Sequence, residues 1–228
     1  MHVRWTAALA AGSMALILGG CGGSLSPAIP GLNGSQTYTM VAEDDTQDSY
    51  SGHDGWEGGD EGGTTIQVGT TQSRNDDMVV GFVAVPLPQN VTANAVRSAT
   101  LRLFVTHMQN NPFQRFLPGG IRVDHILDDE FYLPLPNAVV LHPDIGVLAT
   151  DGTVGWRELD VTAYVKEDLA AGRTVSRFGL RFLYDDTMAD PDGDDAVFND
   201  EYVLFEDAGD NQGTGNRPEL VVTVGGGA

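Results

Sequence analysis

The sequence predicts an all-β protein: an antiparallel β-sandwich with one short helix. Two observations lead there. From residue 64 onward apolar and polar residues alternate with a period of two, and about nine such runs are separated by Gly, Pro, Asp and Asn turns. A helical stripe, by contrast, is found at one place only.

Residues 1–20 stand apart from that fold. Arg4 carries the only charge, and Trp5 to Ile17 is an apolar run broken by Thr6, Gly12 and Ser13. The run is too short and too rich in Gly and Ala to span a bilayer, and it fits the apolar region of a signal peptide. It closes on Leu18-Gly19-Gly20-Cys21, a sequence similar to the bacterial lipobox. Small residues let a peptidase grip an extended backbone, and the thiol receives a diacylglyceryl group. Cys21 is the only cysteine, so its lipidation leaves no disulfide and no thiol nucleophile. The expected product is a lipoprotein tethered outside the cytoplasm. Gly22, rather than Asp, follows the cysteine, which in a two-membrane cell matches default sorting to the outer membrane.

The tether, residues 21–38, is rich in Gly, Ser, Pro and Asn, and the domain is expected over 39–228. A second polar tract over 43–63 is acidic and glycine-rich and contains Tyr50, His53 and Trp56. Beyond it, Leu101, Leu103 and Val105 share one phase, as do Ile121 with Val123, Phe178 with Leu180 and Phe182, and Leu220 with Val222 and Val224. Further strands are predicted at 40–42, 66–68, 78–85, 156–160 and 202–206. The helix is predicted after Asp160-Val161-Thr162, where Val161, Tyr164, Val165 and Leu169 fall on one stripe. Asp160 or Thr162 would cap its start and Gly172 would end it.

Charge narrows the partners. Without Arg4 the chain keeps 11 basic against 32 acidic residues, a net of −21. Such a surface repels nucleic acid and anionic headgroups, so membrane contact is expected through the lipid alone.

The ordered pieces resemble the DNRLRE-domain family, which overlaps carbohydrate-binding module family 96. Asp48-Ser49-Tyr50 is similar to its opening segment and Ile66-Gln67-Val68-Gly69 to its first short strand. Gly81-Phe82, Leu87-Pro88 and Ser98-Ala99-Thr100-Leu101-Arg102-Leu103 follow in the family's order. Gly155-Trp156 and Asp160-Val161-Thr162 come next, then Phe205-Glu206 and Arg217-Pro218-Glu219-Leu220-Val221-Val222. Leu133-Pro134-Leu135-Pro136 stands where the family carries an acidic segment with Trp. The resemblance covers about residues 40–224. It implies a jelly-roll-like sandwich and, for some members, binding of polysaccharide, without catalysis.

Three constellations carry chemistry. Asp190, Asp192, Asp194 and Glu201 have the spacing of a twelve-residue calcium loop, although Asp195 replaces the usual glycine and the flanks read as strands. A solvated acidic hairpin is the alternative. Sugar binding needs flat rings beside polar groups. Trp56 is the first candidate, with Tyr50, Phe113, Phe116 and Tyr132 near turns, while Trp156 is expected to pack against the core. Arg102, Arg122, Arg177 and Arg181 stand on the outward phase of strands. They could meet a glycan's carboxylates, or pair across strands with Asp and Glu.

Catalysis has little support in the sequence: Asp128-Asp129-Glu130 could offer the paired carboxylates a glycosidase requires, but acidic runs are abundant along the chain. His53, His107, His125 and His142 are scattered, with no His-x-x-x-His pair, and no Gly-x-Ser-x-Gly elbow is present. The expected function is a surface-anchored carbohydrate-binding or adhesion lipoprotein. A calcium-stiffened envelope or matrix protein is the second expectation, and a polysaccharide-degrading enzyme or its accessory subunit the third.

Overall fold

The alternating runs pair into two antiparallel layers around one core. The computed structural model describes residues 34–42, 50–51, 65–71, 77–115, 119–127, 139–183, 200–207 and 215–225. Its strands are β1 (Gln36–Val41), β2 (Tyr50–Ser51), β3 (Thr65–Thr71), β4 (Asp77–Pro86), β5 (Val96–Gln109) and β6 (Ile121–Ile126). They continue with β7 (Val140–Ala149), β8 (Gly155–Asp160), β9 (Val175–Phe182), β10 (Glu201–Glu206) and β11 (Glu219–Val224). Helix α1 is a single turn, Pro112–Arg115, and α2 runs Thr162–Ala170.

The strands form one curled sheet in the order β1-β11-β5-β10-β3-β4-β9-β6-β7, with β8 added to β5 and β2 to β4. The fourteen-residue β5 organises the first layer. One of its edges is shared by β11 and β10, which pair with its first and last segments, while β8 takes the opposite edge. The chain passes to the second layer along β4, whose start pairs with β3 and whose remainder pairs with β9. Gly69 marks this corner, with φ of 144°, pairing with both Tyr202 and Val79. A Cβ there would lie 2.1 Å from the Glu201 carbonyl oxygen, so only glycine admits the close strand approach.

Leu101, Leu103 and Val105 of the first layer meet Val83, Val123, Phe178 and Leu180 of the second in a single buried cluster. Removal of each such side chain from water contributes about 1.5–3 kcal/mol. The predicted helix forms and packs against β5, β9 and the 3-10 turn Ala93–Ala95, with Val161 and Val165 fully buried. Its caps divide the predicted work. The Asp160 carboxylate accepts from both the backbone N–H and the hydroxyl of Thr162, while the Thr162 hydroxyl oxygen accepts from the N–H of Ala99. At the other end Gly172 has φ of 73°, Gly172 N–H donates to Leu169 O, and Arg173 N–H to Asp168 O. This is a Schellman closure.

Two strands have no counterpart in the sequence prediction, β2 and β7. The second is irregular: its pairing with β6 shifts register three times, and it contains Pro143 and Asp144, the latter at φ of 53°. Bulges erase the period-two signature that reveals a strand.

Candidate functional site

Cys21, Trp56, Phe116, Tyr132, Asp190, Asp192 and Asp194 lie outside the described residues. Tyr50 opens β2 opposite Gly81, and Glu201 opens β10 opposite Thr70. Phe113, on α1, packs its ring edge-on to Phe182 at 5.2 Å and so joins the core.

The outward arginines divide between the layers. Arg102, on β5, donates to Glu158 on β8 at 2.9 Å and to Glu219 on β11 at 2.6 Å, and these are its register partners on either side. Arg122 and Arg181 are register partners in the second layer. Arg122 pairs with Asp144 at 3.0 Å, and Arg181 holds both oxygens of Asp124 at 2.6 and 3.1 Å. The Asp124 hydrogen bond, against the opposing effect of burial, raises the Arg181 pKa above its ordinary value. Asp124 also accepts the N–H of Asp144, which ties the β7 bulge to β6. These ion pairs cross strands, the geometry of guanidinium groups that hold register.

An aromatic pair occupies the outer face of the first layer. The expectation that Trp156 packs against the core is corrected here. Trp156 shares its strand parity with exposed Glu158 and Asp160, whereas Leu159, on the other parity, packs on the core. The half-buried Trp156 ring lies across from Phe104, with centroids 5.4 Å apart and planes at 79°. The Arg102 guanidinium sits 4.4 Å from the Trp156 ring centroid. Aromatic surface, a cation and two carboxylates thus meet on one patch of β5, β8 and β11. The parity of Trp156 was readable from the sequence, but Phe104 as its partner was not, because pairing of β8 with β5 joins segments far apart in the chain.

A second cluster lies at the end of the sandwich that α2 covers. The scattered histidines are not all separate: His125 on β6 and His142 on β7 are register partners, their rings parallel within 2° and 5.6 Å apart. Tyr164 of α2 contacts both rings, at 5.4 and 5.3 Å. His125 is fully buried, and its Nε2 lies 3.0 and 3.1 Å from the two oxygens of Asp168, itself 1% exposed. Arg173 donates to the same carboxylate at 2.5 Å, and Ser176 donates to it through its hydroxyl. Burial by itself would raise the Asp168 pKa; hydrogen bonds from His125, Ser176 and Arg173 outweigh it and hold the group below its ordinary value. The ionised carboxylate accepts only, so His125 Nε2 carries the hydrogen. Ser176 and His125 therefore both serve Asp168, and the serine is not activated by the imidazole as a nucleophile would be. The outer half of the cluster is more open: His142 Nε2 lies 2.6 Å from Glu167 Oε2, with the two side chains 44% and 42% exposed.

No protein-family model matches the chain, and no curated protein matches it significantly. Among the described residues, no helix is long and apolar enough to cross a membrane.

Proposed function

We propose that this chain is a surface-anchored lipoprotein whose β-sandwich is a non-catalytic carbohydrate-binding module, with the glycan docking on the outer face of β5 and β8. The observation that carries this reading is the Trp156–Phe104 pair on the outward side of the sheet, bordered by Arg102, Glu158 and Glu219. A ring covers the apolar face of a pyranose, and neighbouring donors and acceptors bind its hydroxyls. The lipobox-like ending at Cys21 and the polar tether give display outside the cytoplasm, and the ordered resemblance to the DNRLRE-domain family points to the same ligand class. Net charge favours a neutral glycan, since a surface this acidic repels a polyanion at long range.

The test is a glycan array probed with the processed domain, followed by titration of the best neutral oligosaccharide. Trp156→Ala is expected to weaken binding by tenfold or more while leaving the circular dichroism spectrum unchanged. Trp56→Ala serves as the comparison. If it weakens binding and Trp156→Ala does not, the docking face lies in the acidic tract instead. Retention of no glycan at all would remove the carbohydrate reading.

A further inference from the structure

We propose that His125, His142 and Glu167 form a binding site for a divalent transition metal, best suited to Zn²⁺. One donor atom from each of these three residues lies within 4.8 Å of the other two. The donors arrive on three elements, β6, β7 and α2, so the site is fixed by the fold and not by a local loop.

The hydrogen bonding of His125 is the independent observation. Its Nε2 is turned to the Asp168 carboxylate, so Nδ1 is the ring nitrogen left over for another partner. That atom is buried and has no hydrogen-bond partner among the described residues. A buried polar atom without a partner carries a desolvation cost, so such atoms call for an explanation. A metal ion supplies one. A histidine ligand ordinarily donates its second ring N–H to a carboxylate, which fixes the tautomer and makes the ring more basic. Asp168 stands in that relation to His125, and Ser176 and Arg173 in turn hold Asp168 in place.

The donor set chooses the ion. Two imidazoles and one carboxylate suit Zn²⁺, while Ca²⁺ and Mg²⁺ prefer all-oxygen shells. Zinc bonds of about 2.0–2.2 Å set tetrahedral donors roughly 3.3 Å apart. The three groups must therefore draw together by about an ångström or more at the widest spacing, a movement open to the half-exposed His142 and Glu167 side chains. The short His142–Glu167 contact shows that these two groups already converge; the ion replaces the hydrogen between them. Exposure on that side leaves a fourth position for solvent. The site lies on the opposite layer from the Trp156 patch and does not depend on the glycan reading.

Isothermal titration of the untagged, chelator-stripped chain with ZnCl₂ alone tests the proposal. One ion per chain is expected to bind with a Kd of micromolar or tighter, unaffected by millimolar Ca²⁺. His142→Ala and Glu167→Gln should each weaken it by tenfold or more, and His107→Ala, at an exposed histidine of the other layer, should leave it unchanged. His142 and Glu167 are half-exposed, so both variants should fold, and their circular dichroism and melting should match the parent without metal. Proton NMR of the imidazoles adds a direct readout, since zinc should shift the ring resonances of His125 and His142 but not His107. Weak unsaturable binding, or equal affinity in parent and variants, would overturn the assignment and leave His125–Asp168 as a packing device.

Discussion

Asp168 sits on the buried side of α2 with three donors around its two oxygens, from His125, Ser176 and Arg173. A buried carboxylate is tolerated only when such partners replace water, and removal of one member strands the others. Asp168→Ala is therefore expected to cost about 3 kcal/mol or more, because the Arg173 charge and the His125 N–H lose their acceptor together. Ser176→Ala removes one donor and leaves the ion pair intact, so about 1 kcal/mol is expected. Urea denaturation of the two variants measures both numbers. Equal and small losses would mean that water replaces the network at little cost. The position of Asp168 was legible, since it falls on the same stripe as Val161, Tyr164, Val165 and Leu169. Its burial was not: a charge on a helix reads as solvent-facing until its partners are known, and His125 lies 43 residues earlier in the chain.

Helix α2 is short, so its ends weigh heavily in its stability. Asp160, just before the N-cap Val161, accepts the first free N–H of the helix and the Thr162 hydroxyl. Those two hydrogen bonds, from the hydroxyl first and the backbone second, lower the Asp160 pKa from its ordinary 3.8. Since the folded value is depressed, the charge's contribution is complete above the ordinary value and is lost as pH falls through the lower folded one. Asp160→Ala should thus cost about 1 kcal/mol at neutral pH. The gap from the parent should narrow as the pH is taken down below the ordinary value of 3.8. Thermal melts of the pair across that range decide it, and a gap that stays constant into acid would assign the effect to packing. The same helix shows what local sequence can specify. Its apolar stripe, its start and its glycine stop are all contained in a dozen neighbouring residues, so the element was readable. Strand β7 was not, because Pro143, the left-handed Asp144 and three register shifts leave no clean alternation. What holds it as a strand is its pairing with β6 and the Asp124–Asp144 contact, neither of them local.

At the scale of the whole molecule the acidic excess meets a limited supply of cations. The chain has 32 acidic and 12 basic residues, and Arg102, Arg122, Arg157, Arg173 and Arg181 are each engaged with a carboxylate. The remaining carboxylates repel one another, and a compact state feels that repulsion more than an expanded chain does. Salt acts on both sides of this balance. Screening shortens from about 30 Å at 0.01 M to about 8 Å at 0.15 M, which relieves the long-range repulsion. It also weakens the exposed ion pairs, but each of those contributes only about 0–1 kcal/mol. With so large an imbalance of sign, repulsion should dominate, and the melting temperature should rise by a few degrees between 10 mM and 150 mM NaCl. The Asp168 network, being buried, should be nearly insensitive to the change, so Asp168→Ala should show the same salt-induced rise as the parent. Calorimetry across the salt series provides the measurement. A melting temperature that falls with salt would show that the paired arginines outweigh the acidic excess, and would shift the account of stability from the core and its buried network to the sheet surface.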